Sequence, residues 1–362
     1  MTTWVAVRGA ALTHNAAAVR HLIGDPVRLC AVVKANGYGH DAVLAARAFL
    51  AAGAERLAVT TCQEALELRA AGLTAPVQLL ASCAPDEATT VVEHELIATV
   101  SDAAAADRLA VAAQQAGRTA TVHVLVDCGM GRDGVLPAAL GDLHQHILAT
   151  AGLRLEGVYT HFPNATAADR APTRAHLRRF LDAVSPLRPR PPLLHAANSA
   201  ATVDLPEARL DLVRVGTLLY GQYPSEHVTR ALDLQPTWTL HSRLVEVRRL
   251  PAGSAIGYGS EVRLPAERLV GTLLVGWQQG FGLQPESLAS GWRGAVRALR
   301  RRPLQVTIRG VACPVLGRLS MQSCCVDVTA VPEVVVGDVA VVPARRVTLD
   351  RGVPRVLETA PE

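Results

Sequence analysis

Short apolar runs alternate with amphipathic, alanine-rich stretches through the first two thirds of the chain. The first run, Val27 to Val33, is interrupted only by Arg28; it stops in Asn36, Gly37 and Gly39, and Asp41 to Ala52 then carries the alanine and leucine of a helix. A continuous apolar run closed by turn residues suits a strand covered on both faces of a parallel sheet. The same texture predicts strands at Arg56 to Thr61, Val77 to Ser82, Ile97 to Ser101, Thr121 to Asp127, Leu155 to Phe162, Leu193 to Ala197 and Leu212 to Gly216. Helices are predicted between many of them, including Cys62 to Ala71, Ala103 to Ala116 and Thr173 to Val184. Eight such strand-helix units within ~250 residues favour closure into a (β/α)8 barrel of the TIM type. At the start, Trp4, Val5 and Val7 alternate into a helix-like stretch through Leu12 and Leu22.

Beyond about Leu234 strand-like runs continue without comparable helices, at Leu240 to Val247, Leu269 to Val275, Leu304 to Ile308, Ser323 to Val328 and Val339 to Val342. Turn signals at Pro251 to Gly253, Gly257 to Gly259 and Gly337 to Asp338 separate several of them, which predicts a mainly antiparallel second domain. The expected division is a barrel over 1–234 and a β domain over 235–362.

Composition narrows the picture. The chain of 362 residues is 49% hydrophobic but only 4% aromatic, so Ala, Val and Leu must fill the cores. The net charge of +4 is mild, and its one dense run, Arg300 to Arg302, has no interleaved aromatics; it reads as a solvated turn rather than a nucleic-acid patch. Seven cysteines without metal spacing, and no signal peptide, point to reduced thiols in a cytoplasmic protein. No uncharged apolar stretch reaches the ~18 residues needed to span a bilayer. Neither a metal, a membrane nor a nucleic acid is expected as a partner.

Of the 36 basic residues one is lysine, Lys34, within AVVKANGYGH, and 35 are arginine. Arginine stays protonated, whereas a lysine amine can lose its proton, attack a carbonyl and form a Schiff base. Lys34 leaves a predicted strand where the chain turns into a loop, which in a β/α barrel is the catalytic face. Other polar residues gather at later strand ends: Asp127 and Arg132 in DCGMGRDG, His161 in YTHF, His195, Asn198 and Ser199 in LLHAANSA, Arg214 and Gly216 in LVRVG. Each alone suits a structural role. Registered to one face with the only lysine, they read as an active site.

The segments AVVKANGYGH, GMGRDGV, THF, HAANSAA, VRVGTLLYG and GYG resemble, in that order, the motifs of the alanine racemases, two-domain enzymes of pyridoxal-phosphate fold type III, over about Trp4 to Val342. The resemblance implies that Lys34 anchors pyridoxal 5'-phosphate and is one catalytic base. Tyr258 is implied as the second base, acting in the neighbouring subunit's site, and with it a homodimer with composite sites. Two bases on two sides suit a reaction that removes a proton from one face and returns one to the other. A phenol of pKa ~10 is a poor base unless positive charge lowers that value, which His161 and Arg214 would do through a hydrogen-bonded chain. Arg214 would face the pyridine nitrogen of the cofactor, with His195 orienting it from behind. Tyr38, Ser199 and the backbone of Gly216 and Thr217 match phosphate-binding positions, and Asn198 falls with the cofactor-binding residues. Arg132 would bind the substrate carboxylate or the cofactor's phenolic oxygen, where its planar fork is useful. Met321 matches a residue whose backbone amide reaches the substrate carboxylate from the partner chain.

The chain departs from that pattern at several places. Leu125 stands where many relatives have a lysine, often carbamylated, that braces the arginine matched by Arg132. Trp277, Gln278 and Gln279 occupy GWQQG where GYADG is usual, and Gln322 follows Met321 where an aspartate is usual. The C-terminal tyrosine that contacts the phosphate in relatives has no counterpart, a loss on the order of 1 to 3 kcal/mol if nothing replaces it. The expectation is a racemase acting on alanine. A racemase for a larger or specialised amino acid and a non-racemising pyridoxal-phosphate-binding protein are the alternatives.

Overall fold

The computed structural model describes residues 1–283 and 303–358; the Arg300 to Arg302 run lies outside them. The chain forms two compact units, Gly9–Thr237 and Met1–Arg8 with Trp238–Glu362. The predicted division at 234 therefore falls between Thr237 and Trp238, and the first eight residues belong with the C-terminal part. The reason is a pairing that local pattern cannot show: strand β1 (Thr3–Arg8) lies antiparallel against Trp238–Leu250, over two hundred positions later.

In the first unit eight parallel strands follow one another round a ring: β2 (Arg28–Val32), β3 (Arg56–Val59), β4 (Val77–Ser82), β5 (Ile97–Val100), β6 (Ala120–Leu125), β7 (Leu153–Tyr159), β8 (Leu193–His195) and β9 (Leu212–Val215). β9 pairs with β2, and backbone bonds from Asp211 N–H to Leu194 O and from Arg214 N–H to Ala197 O join β8 to β9, closing the barrel. Helices such as Ala42–Ala51, Cys62–Ala70, Ala103–Gln115 and Ala171–Val184 separate the strands and turn alanine-, leucine- and phenylalanine-bearing faces inward. Small residues let them lie close, which is how a chain poor in aromatics fills this volume.

The barrel interior is split by chemistry. Cys30, Val32, Ala58 and Leu212 form an apolar cluster, with Tyr38 and Leu80 packed on it. Elsewhere the strands contribute buried polar residues, among them Arg56, Gln78, Thr99, His123, His195 and Arg214.

The second unit is antiparallel apart from one pairing. Its sheet runs β13 (Arg268–Leu273), β16 (Cys324–Asp327), β15 (Val311–Leu316), β14 (Gln305–Ile308), β17 (Val339–Val342), β10 (Trp238–Leu250), β1, β18 (Arg355–Glu358), and a further β10–β13 pairing closes six strands into a ring. β18 lies parallel to β1. The hairpin β11 (Ala255–Ile256) and β12 (Val262–Arg263) stands apart. No helix among the described residues is long and apolar enough to cross a membrane.

Candidate active site

Lys34 follows the end of β2 after one intervening residue, Val33, and the chain after it winds the wrong way for L-residues. Ala35, Asn36, Gly37, Tyr38 and Gly39 have φ of 52°, 53°, 60°, 52° and 87°, a left-handed turn that costs roughly 1–2 kcal/mol at each residue bearing a Cβ. The surroundings hold it in place. Gly37 N–H donates to Val33 O (2.8 Å) and Gly39 N–H to Ala35 O (3.0 Å). Asn36 Oδ1 accepts from Ala42 N–H (3.0 Å), and Glu64 Oε1 accepts from Ala35 N–H (2.6 Å). The other oxygen of Glu64 takes Thr60 N–H (2.9 Å), so one carboxylate ties the turn after β2 to the turn after β3. Gly37 is required by space as well as by φ, since a Cβ there would come within 3.1 Å of the Ala42 backbone. The amine of Lys34 is half-buried; burial, then the charge of Arg132, push its pKa down, against a smaller opposing pull from Glu64.

A cavity of about 250 Å³ opens at this end of the barrel. It gathers nine of the sequence-predicted residues: Lys34, Tyr38, Arg132, His161, Asn198, Ser199, Arg214, Gly216 and Thr217. Ser199 Oγ accepts from Gly216 N–H (3.0 Å), and a Cβ added to Gly216 would lie 2.4 Å from the Tyr38 hydroxyl. Asn198 caps helix Ser199–Asp204 by accepting from Ala201 N–H. Two hydroxyls therefore converge on a backbone that only glycine can bring so near.

Arg214 is buried, and its four acceptors are neutral groups. Nη1 donates to His195 Nδ1 (2.7 Å); Nη2 reaches Thr160 O (2.7 Å), Ala196 O (3.3 Å) and, more distantly, His161 Nδ1 (3.5 Å). The guanidinium also lies 4.8 Å from the centre of the Tyr159 ring. His195 stands behind Arg214 and does not line the cavity. Burial and then the charge of Arg214 hold its pKa well below the usual range. His161 is brought down to about 3 by burial, Arg214, Arg132 and Lys34 in turn. At neutral pH His161 is thus an uncharged imidazole, so the positive charge expected here is that of Arg214 and not of the histidine.

Arg132 is carried by a loop organised on one carboxylate. Asp127 Oδ1 accepts from Gly129 N–H (2.8 Å) and Met130 N–H (2.7 Å), and Oδ2 from Gly131 N–H (2.9 Å). Arg132 itself is exposed at the cavity rim. Leu125 is buried beside Tyr159 and offers no polar atom from its side chain.

Tyr258 and Met321 lie in the second unit. Tyr258, in the turn between β11 and β12, is 75% exposed, and Met321 is 53% exposed. The GWQQG turn is fixed against the Met321 loop by Trp277 N–H to Ser320 O (3.2 Å) and Gln278 N–H to Met321 O (3.0 Å). Among the described residues no cluster of three or more His, Cys, Asp or Glu is placed to hold a metal.

Sequence reasoning missed Glu64, which looks like an ordinary helix glutamate, and the strand residues His123 and Glu156. His195 Nε2 meets His123 Nδ1 at 2.8 Å, His123 Nε2 meets Glu156 Oε2 at 2.8 Å, and Arg56 Nη1 meets the same oxygen at 2.9 Å. The available signal was a charged or ionisable residue within each strand, His123 in ATVHVL and Glu156, with Arg154, in LRLEGVY.

The alanine racemase N-terminal domain family matches residues 7–224 and the alanine racemase C-terminal domain family residues 237–353. The chain belongs to the alanine racemase family. It is similar to the alanine racemase of Desulforamulus reducens, with 40% identity over 344 residues, 94% of this chain and 89% of that one. Its structure is similar to that of the Clostridium difficile 630 alanine racemase, with a TM-score of 0.89 and 26% identity over 98% of this chain and 94% of the other. It also resembles the Bacillus anthracis alanine racemase with bound L-Ala-P (TM-score 0.81, 29% identity, 94% and 85% covered). These matches span both units and favour neither a specialised racemase nor a non-racemising binding protein.

Alanine racemases are pyridoxal-phosphate enzymes, and the cavity suits that group on its own evidence. It holds an amine of lowered pKa, a buried guanidinium bonded only to neutral acceptors, and two hydroxyls beside a glycine backbone. An aldehyde, a pyridine nitrogen and a phosphate call for such a set.

Proposed function

We propose that the protein interconverts L- and D-alanine with bound pyridoxal phosphate, Lys34 and Tyr258 serving as the two proton-transfer groups. The observation that carries this reading is the placement of the lone lysine, its pKa lowered, in one cavity with Arg214, Tyr38 and Ser199. Pyridoxal phosphate supplies an electron sink that acidifies the α-hydrogen of an amino acid.

The residues have separable duties. Tyr38, Ser199 and the amides of Gly216 and Thr217 bind the phosphate, with Asn198 holding the backbone beside them. Arg214 donates toward the pyridine nitrogen and keeps its own proton, because a guanidinium does not give it up near neutrality. Arg132 orients the substrate carboxylate from the rim. Lys34 Nζ exchanges a proton on one face of the substrate.

The opposite face needs a second group, and for it we propose the partner subunit's Tyr258 in a homodimer, with the partner subunit's Met321 contributing its backbone amide. The exposure of Tyr258 supports this assignment, since a phenol standing free on its own chain is available to another copy. His161, uncharged, serves as a hydrogen-bond partner for that phenol rather than as a charge. A cytoplasmic location accords with seven cysteines that form no disulfide.

The purified protein with pyridoxal phosphate should racemise alanine, exchange its α-hydrogen with solvent deuterium, and show a visible absorbance that Lys34→Ala abolishes. Absence of deuterium uptake into either enantiomer would rule the reading out.

A further inference from the structure

We propose that Glu156 is a positioning residue for Arg214, acting across the barrel interior by fixing the tautomers of His123 and His195. Every nitrogen of an arginine donates, so the His195 Nδ1 that Arg214 meets at 2.7 Å must accept. A neutral imidazole carries one N–H, and in His195 that proton is then on Nε2, donating to His123 Nδ1 at 2.8 Å. The same rule puts the His123 proton on Nε2, donating to Glu156 Oε2 at 2.8 Å. The donors therefore all run one way, from Arg214 through two imidazoles to an acceptor-only carboxylate.

Each link is held in that state. His123 and His195 are fully buried, and burial keeps both neutral. Burial alone would raise the Glu156 carboxyl, but the hydrogen bonds from His123 and Arg56, with the charge of Arg56, outweigh it and hold its pKa at about 2. Arg56 itself is 4% exposed and donates to the same oxygen as His123 (2.9 Å). Without the carboxylate, His123 is free to carry its proton on Nδ1. That proton would face His195 Nε2 and turn a His195 Nδ1–H toward Arg214, donor against donor. Glu156 does not line the Lys34 cavity; it borders a separate one together with Arg118 and Arg154. Its influence on the site can thus pass only through other residues, which suits the behaviour of outer partners that orient a functional group.

The kinetic part of the test rests on the racemase reading, whereas the spectroscopic part does not. Long-range ¹H–¹⁵N NMR of the cofactor-free protein with labelled histidine should show both His123 and His195 neutral, with the proton on Nε2, from about pH 6 to 8. A proton on Nδ1 of either one in the wild-type protein overturns the proposal, and this measurement does not depend on any variant folding. In E156L the Nδ1–H form should appear at His123. Its kcat with pyridoxal phosphate should fall about 10- to 100-fold, with KM for alanine changed by about twofold at most. E156Q, whose amide oxygen can take both donors, should restore the tautomers and most of kcat. Wild-type tautomers and kcat in folded E156L would overturn the proposal. Failure of the racemase reading would instead leave the wild-type protein without turnover, and the tautomers would still decide this one.

Discussion

Lys34 and Tyr258 are assigned matching duties, yet their settings are opposite. Lys34 follows a buried strand, in a turn whose left-handed backbone is fixed by Glu64, Asn36 and the Val33 carbonyl. Tyr258 stands 75% exposed between two glycines of positive φ, Gly257 and Gly259, in a two-residue hairpin arm. The first group is pre-positioned by its own barrel. The second has no such enclosure on its own chain, which is the economy expected if another copy completes the site. The two proposed proton-transfer groups thus differ in setting, one half-buried in a pinned left-handed turn and the other exposed at the tip of a small hairpin.

Tyr258→Phe should have the largest effect. It removes one oxygen from a side chain that packs little, so the melting temperature should stay the same while kcat falls on the order of 10²–10⁴-fold, the usual contribution of a general acid or base. Substrate deuterium exchange should become one-sided, proceeding from one enantiomer and not the other. An unchanged kcat would remove Tyr258 from the mechanism.

The enclosed imidazoles make stability depend on pH. His123, His161 and His195 have lowered pKa values in the folded chain, so the stability they confer is present above the unfolded value of ~6.5 and lost as pH falls below it. Each adds a slope of up to about 1.4 kcal/mol per pH unit in that range. Glu156, at about 2 when folded, contributes stability above the unfolded carboxyl value of ~4.3 that is lost toward pH ~2. Thermal melts should decline steadily below pH ~6.5, and a melting temperature flat between about pH 7 and 5 would contradict the neutral, buried imidazoles.

The smallest effect concerns Leu125. Relatives that brace the rim arginine with a carbamylated lysine depend on carbon dioxide for that group, and a leucine at this position cannot take it up. Activity should be the same in carbon-dioxide-depleted and bicarbonate-supplemented buffer. A rise with bicarbonate would show that some other amine is modified.

Much of the barrel could be read from the chain because most of its strands are largely apolar runs stopped by turn residues. Val77–Ser82 and Val339–Val342 have the predicted bounds, and the others shift by a few residues. β1 was legible as an alternating stretch but not as part of the second unit, because its partner β10 is remote in sequence and alternation does not name a partner. The cavity residues stood out because they sit at strand ends in motifs. His123 and Glu156 did not, because inside a closed barrel a polar side chain is supported by another strand's polar side chain, and a single strand carries no sign of which. Glu64 was hidden for a similar reason: it caps its own helix with Thr61 and reaches a different loop with its remaining oxygen.

The turn after β2 also governs how the protein meets proteases. An endoproteinase that cuts after lysine finds one peptide bond to attack in 362 residues, Lys34–Ala35. That bond runs into a left-handed backbone pinned from three sides, which cannot lie extended in a protease cleft while the turn is intact. Cleavage must wait for local opening, and its rate measures how often that opening happens. Cofactor anchored on Lys34 would shield the bond further, so a single digestion could distinguish a closed site from a loosened one while ignoring the rest of the chain.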